Sequence, residues 1–232
     1  MTQAPAQLFD RRTLTARRAR RRADSLFLHQ MARDEAEDRL SLVNRTFTAP
    51  AIVTPFPEVW VGRLENAVIV TDDDVLSLTP GAHDLVIHSL ALHWANDPVG
   101  QLIQCRHALE NDGLLLTASL GGQTLTELRA SLAQAETEVT GGLSPRVAPI
   151  AEIRDLGALL QRAGFALPVA DCLPLSVSYE TAFHLMNDLK AMGERNALAA
   201  RQKSFTRRAV FQKAAEIYHS NFRDGDRIKA TF

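Results

Sequence analysis

The sequence predicts an α/β domain with a parallel sheet flanked by helices. Three observations carry this reading. Short unbroken apolar runs recur, helical patterns lie between and after them, and the two alternate at spacings that suit βα units. Apolar runs without alternation belong to strands covered on both faces, as in parallel sheets.

Taken in order, residues 13–45 form a continuous helical stretch. Leu26, Phe27, Gln30, Met31, Leu40 and Val43 make its inner face, and Pro50 closes it. Strands follow at Ala51–Thr54, Ala67–Val70, His83–Ser89 and Gly113–Ser119, each bounded by turn-formers. Val99–Leu109 is helical and stops at Asn111-Asp112-Gly113. Thr124-Leu125-Thr126-Glu127 has the form of a capping box and opens a long helix that ends at Gly141-Gly142. Pro149–Gly164 is another helix, with Ile153, Leu156, Leu159 and Leu160 as its stripe. Strand-like stretches at Leu167–Val169 and Leu175–Tyr179 precede helices at about 180–192 and 206–221. Residues 1–48 read as an N-terminal helical extension and 49–232 as the α/β domain.

Bulk properties exclude several classes. With 232 residues and 46% hydrophobic content, the chain can bury a sizeable core. A net charge of -1 gives no global attraction to nucleic acid or anionic lipid. No apolar run approaches the roughly 20 residues that span a bilayer, and Met1–Leu8 lacks a signal-peptide pattern. Only two cysteines, Cys105 and Cys172, are present, which suits a reducing compartment and a cytoplasmic location. Arg11, Arg12, Arg17, Arg18, Arg20, Arg21 and Arg22 crowd one segment. That run admits two readings: an arm for RNA, anionic lipid or an acidic partner protein, or a solvated amphipathic helix.

Other chemistry finds little footing. The seven histidines lack metal-ligand spacing, so no metal is expected. Cys105 falls on an apolar helical stripe and reads as core. Gly121-Gly122 suits either an anion site at a helix start or a tight turn.

The stretch Ser89-Leu90-Ala91-Leu92-His93-Trp94-Ala95-Asn96-Asp97, with Asp72-Asp73-Asp74-Val75 before it and Asn111-Asp112-Gly113-Leu114-Leu115 after it, resembles class I S-adenosylmethionine (SAM)-dependent methyltransferases from the third strand onward. Two groups share the signature: the malonyl-carrier-protein methyltransferases of biotin synthesis, and the methyltransferase-like assembly factors of respiratory complex I. Leu120-Gly121-Gly122-Gln123-Thr124-Leu125-Thr126-Glu127-Leu128-Arg129 and Leu185-Met186-Asn187-Asp188-Leu189-Lys190-Ala191-Met192-Gly193-Glu194-Arg195-Asn196 are more similar to the second group. The resemblance implies a reduced Rossmann-like sheet and a SAM-dependent methyltransferase-like protein acting on a protein or small molecule. Its alternative is a catalytically degenerate fold serving as an assembly factor or chaperone for a respiratory complex subunit, as a binding module or by hydroxylation. The Arg-rich N-terminal helix and the 180–221 helices would then form the partner surface.

The resemblance also distributes a SAM site over the chain. Asp72 or Asp73 would contact the adenine, Ser89 and Leu90 would lie beside the cofactor, and His93 and Trp94 would open the substrate side as catalytic candidates. From the residues alone, Asp72–Asp74 reads equally as a polar turn, Trp94 as a packing anchor and His93 as an ordinary buried histidine. Two further parts of such a site are missing. After Ala51–Thr54 comes Pro55-Phe56-Pro57-Glu58-Val59-Trp60, with no glycine to cradle the cofactor, and no acidic residue stands in for the ribose carboxylate. Residues 55 to 66 leave room for only one short connection, because a crossover needs about a dozen residues and a full βαβ unit roughly 30. A strand and a helix are therefore expected to be absent, with Ala67–Val70 in the usual third-strand role. At the other end, the resemblance implies that Ala230-Thr231-Phe232 would lead into one more strand of an antiparallel edge pair, and that strand is expected to be truncated or absent here.

Overall fold

The computed structural model describes residues 7–232, which divide into two compact units. One is built from Leu26–Leu120 and Ala151–Asp171, the other from the N-terminal residues through Ser25, Gly121–Ile150 and Cys172–Phe232.

The first unit holds a four-stranded parallel sheet in the order β2-β1-β3-β4. Its strands are β1 (Pro50–Val53), β2 (Val68–Val70), β3 (His83–Ser89) and β4 (Leu109–Ala118). Period-2 alternation divides the central strands between two faces. Ile52, Leu85 and Ile87 point to one side and pack with Leu26, Ala36, Phe56, Val59 and Trp60. That layer includes helix α2 (Phe27–Ser41). Ala51, Val53 and Val86 point to the other side and pack with Cys105 and Ala108 of helix α3 (Pro98–Ala108). Helix α5 (Ile153–Arg162) lies on α3 through Leu159 and Leu160, next to Leu102 and Ala163. (Helices α1 and α4 belong to the second unit.) The reduced Rossmann-like parallel sheet expected from the sequence is thus present.

β2 pairs directly with β1, with Ala51 opposite Val68 and Val53 opposite Val70. No strand lies between the two, which fits the expectation that one strand is missing ahead of Ala67–Val70. Its short connection folds into a 3₁₀ turn at Pro57–Val59 and cannot reach past an intervening strand.

The second unit contains α1 (Arg11–Arg18), α4 (Thr126–Thr140), α6 (Ala182–Met192), α7 (Arg208–Asn221) and a small antiparallel sheet in the order β5-β7-β6. Its strands are β5 (Ser176–Tyr179), β6 (Arg223–Asp224) and β7 (Arg227–Thr231). In this separate sheet β7 pairs antiparallel with β5, so that Val177 faces Ala230 and Tyr179 faces Ile228. Leu167–Val169, expected as a strand, is irregular, and Leu167 and Val169 are exposed.

The single helix expected over 13–45 is broken. α1 ends at Arg18, a 3₁₀ turn spans Ala23–Ser25, and α2 starts at Phe27. Tertiary bonds supply the reason, since the Arg22 N–H donates to Ala191 O at 2.8 Å and the Arg22 guanidinium holds Asp24. The arginine run is also not uniformly solvated. Arg18 is buried, 4.0 Å from Glu194, and Arg201 pairs with Asp10 at 2.9 Å.

Candidate functional site

In open parallel sheets, ligands bind beyond the carboxyl ends of the strands. Four of the six residues singled out from the sequence follow the carboxyl ends of β2 and β3, and His93 and Trp94 follow within the next turn.

Beyond β2, Asp72 is buried and Asp73 exposed. Two glutamines of α3 clamp this turn. Gln101 Nε2 donates to Asp73 O at 3.0 Å, and Gln104 Nε2 donates to Asp74 O at 3.0 Å while its Oε1 accepts the Leu76 N–H at 2.7 Å. With its amide nitrogen so engaged, Gln101 presents Oε1 to His88 Nε2 at 3.0 Å, so that histidine nitrogen is the donor. Burial holds the His88 imidazole below its ordinary pKa, and the bond to Gln101 only partly offsets this. Neither glutamine was singled out in the sequence. The signal was their i,i+3 spacing, which puts both on one face of α3.

Beyond β3, Ser89 is fully buried and its Oγ accepts the Trp60 indole N–H at 3.2 Å. Leu90 is buried with φ +49°, and its N–H donates to Ala118 O at 2.9 Å. His93 and Trp94 lie in a 3₁₀ turn at Leu92–Trp94 with their rings 5.7 Å apart; Trp94 is buried.

Beyond β1 the chain runs Thr54-Pro55-Phe56-Pro57. The Thr54 N–H donates to Val70 O at 3.0 Å, and the Phe56 N–H donates to the Thr54 hydroxyl at 3.2 Å. The Val59 N–H bonds Phe56 O, the Trp60 N–H bonds Pro57 O, and Pro55 and Pro57 carry no N–H. A nucleoside cofactor needs free backbone donors and room for close approach at this turn. Phe56 and Trp60 are instead completely buried there. The residues present do not fit a SAM cradle.

Cys105 and the diglycine turn behave as packing and chain reversal. Burial pushes the Cys105 thiol up to about 12, which keeps it an inert core group. At the diglycine, the Thr124 N–H closes a turn on Gly121 O at 2.9 Å. The capping box expected at Thr124 does not form. Leu125, at φ +54°, precedes α4 and donates its N–H to Thr231 O at 2.8 Å, and Glu127 accepts from the Thr231 hydroxyl at 2.5 Å instead of reaching back.

In the second unit, α6 and α7 frame a cleft of about 450 Å³ lined by Phe183, Met186, Arg208, Phe211 and Gln212. Its walls are apolar and Arg208 is its charged residue. No helix among the described residues is long and apolar enough to cross a membrane.

No family model matches the chain. The arginine-hydroxylase NDUFAF5 of mouse mitochondria is 42% identical over 165 residues, covering 71% of this chain and 48% of that protein. The human protein is 41% identical over 171 residues, covering 73% and 49%. A malonyl-[acyl-carrier protein] O-methyltransferase of Laribacter hongkongensis is 37% identical over 166 residues, covering 72% and 54%. The chain spans about half the length of the curated relatives it matches. Among solved structures, a Bacillus halodurans protein classed provisionally as a methyltransferase superposes with a TM-score of 0.50 at 13% identity, over 85% of this chain and 92% of that one. That likeness concerns the fold alone. By sequence the chain is similar to NDUFAF5 and to the malonyl-carrier methyltransferases over about half of their length, and by fold it has the Rossmann-like architecture of the Bacillus halodurans protein.

Proposed function

We propose that this protein uses the methyltransferase fold as a binding module in the assembly of a respiratory complex, and that it works in the cytoplasm without transferring a methyl group. The observation that carries the reading is the turn after β1, where two prolines and three internal hydrogen bonds leave no cofactor cradle. The kinship with NDUFAF5 supports the choice of a protein partner. The α6–α7 cleft, apolar with one guanidinium, suits a segment that carries an apolar side chain next to a carboxylate. Free cysteines, one buried and one exposed, are consistent with a reducing compartment. Hydroxylation of an arginine on the partner is the covalent variant of this reading, supported by the name of the relatives.

SAM-dependent methyl transfer is the second reading. It is favoured by Asp72 and Asp73, which follow the strand next to β1 where a ribose carboxylate would stand, and by the malonyl-carrier relatives. In it, Ser89 and Leu90 line the cofactor and His93 and Trp94 face the acceptor.

Deleting the gene and resolving membrane complexes on native gels separates these readings. Loss of assembled complex I, restored by the wild-type gene, is expected. Mass spectrometry of its subunits should show no methyl group that depends on the gene; a dependent hydroxyl selects the covalent variant, and a dependent methyl selects methyl transfer. Normal complex I in the deletion strain overturns the assembly function.

A further inference from the structure

We propose that Trp60 is the permanent occupant of the ligand position at the carboxyl ends of the parallel strands, so that the fold is completed by its own indole and accepts no nucleoside. This goes beyond the missing cradle, because a missing donor weakens a site whereas a filled site abolishes it.

Five observations converge. Trp60 is 1% exposed, and its ring stands in the cluster of Ile52, Phe56, Val59, Leu85 and Ile87. Its indole N–H, which must find an acceptor when buried, takes the Ser89 hydroxyl. Ser89 is the last residue of β3 and the residue assigned to the cofactor, so the contact sits at the ligand-binding end of the central strand. The 3₁₀ turn at Pro57–Val59, fixed by Pro57 at its start, delivers Trp60 there directly. Leu90, the other cofactor candidate, has its N–H tied to Ala118 O. A nucleoside arriving at this position would have to expel a fully buried tryptophan and leave the Ser89 hydroxyl to find another donor.

The test is calorimetric titration of the wild-type chain with SAM and with S-adenosylhomocysteine, alongside the Trp94→Phe variant, in which Trp60 is the sole tryptophan. The expected results are no heat of binding up to about 1 mM ligand and a blue-shifted Trp60 emission that neither ligand changes. Saturable binding with Kd below about 100 μM, or quenching of Trp60 emission by either ligand, overturns the proposal. A cavity experiment supplies the positive arm. Trp60→Ala should lower Tm by about 10 °C, and free indole should recover part of that loss while leaving the wild-type Tm unchanged. Should the alanine variant fail to fold, Trp60→Phe keeps a six-membered aromatic ring and removes the pyrrole portion with its N–H. It should fold and still refuse both ligands, and nucleoside binding to it overturns the proposal as well.

Discussion

The two compact units combine apolar packing and carboxylate ties differently. The unit with the parallel sheet rests on apolar packing: Ala51, Ile52, Val53, Leu85, Val86 and Ile87 are essentially inaccessible, and Phe56 and Trp60 extend that core over the strand ends. Its carboxylates Glu35, Glu37 and Asp171 pair with arginines nearer the surface, and Asp84 is buried. Burial works to raise that group's pKa, but hydrogen bonds from the Thr48 and Ala49 N–H groups and the Thr48 hydroxyl outweigh it, and the net shift is downward. The second unit buries Leu14, Leu185, Met192, Val210 and Tyr218 as an apolar core of its own and adds deeply set carboxylate ties. Glu136 accepts from the Ser144 N–H and hydroxyl and from both arms of Arg146, Asp10 takes Thr13 and Arg201, and Glu127 takes Thr231. Where a sheet face is available, burial does the stabilising; where helices meet irregular chain, charged hydrogen bonds fix the geometry.

Acid should break this symmetry, and it is the largest effect expected. Burial pushes the Glu136 carboxyl up, yet hydrogen bonds from Arg146 and Ser144 bring it below its ordinary value. Hydrogen bonds from Thr13 bring Asp10 to about 2. A carboxylate with a depressed folded pKa adds stability that is fully present above its unfolded value. That stability is lost as pH falls through the folded value. For Glu136 the loss therefore begins near pH 4.3 and grows below it. Hydrogen exchange read by mass spectrometry should show the second unit losing protection at a higher pH than the sheet unit. Glu136→Gln should cost about 2–3 kcal/mol at pH 7, since it leaves the Arg146 charge without its counterion. The penalty should shrink toward zero as pH falls below about 4. If the sheet unit opens first, or the variant keeps its full penalty in acid, carboxylate ties do not distinguish the units.

A smaller effect probes backbone fit. Gly193 closes α6 at φ +83°, and a Cβ placed there would lie 2.9 Å from Arg18 Cα. Gly193→Ala therefore meets left-handed strain and a backbone contact together, for about 2 kcal/mol in urea unfolding. Alanine at Gly62, also at positive φ but with nothing within 4 Å, isolates the strain alone and should cost about half as much. Equal costs at the two sites would remove the packing role given to Gly193.

The contrast between the units also explains what could be read from the sequence. Strands buried on both faces leave runs such as His83–Ser89, and that run matched its observed strand end to end. The absence of a cradle was legible in Pro55-Phe56-Pro57, because proline has no N–H to offer. The burial of Trp60 against the end of β3 was not legible: its bond to Ser89 joins residues 29 apart in sequence, and nothing local marks it. The position of β2 followed from connection length only once its partner strand was known. In the second unit, errors gathered where tertiary hydrogen bonds overrode local preference. Arg22 is captured by Ala191 O, which ends one helix early, and Thr231 takes both Leu125 and Glu127 from the expected cap.

That override at α4 yields the smallest predicted effect and the most discriminating one. A threonine serving as N-cap would cost about 1 kcal/mol on replacement by alanine. Here the Thr124 hydroxyl is buried and makes no hydrogen bond, while the Thr124 N–H is used by Gly121 O. Removing a buried hydroxyl without a partner relieves a desolvation cost, so Thr124→Ala should leave stability within about 0.5 kcal/mol or raise it. Glu127→Gln, in contrast, should weaken the tie to Thr231 and free β7 to exchange faster, although the sequence pattern gives both residues equal parts in one box. A Thr124→Ala penalty as large as that of Glu127→Gln would mean that the capping box forms in solution and that β7 does not hold the start of α4.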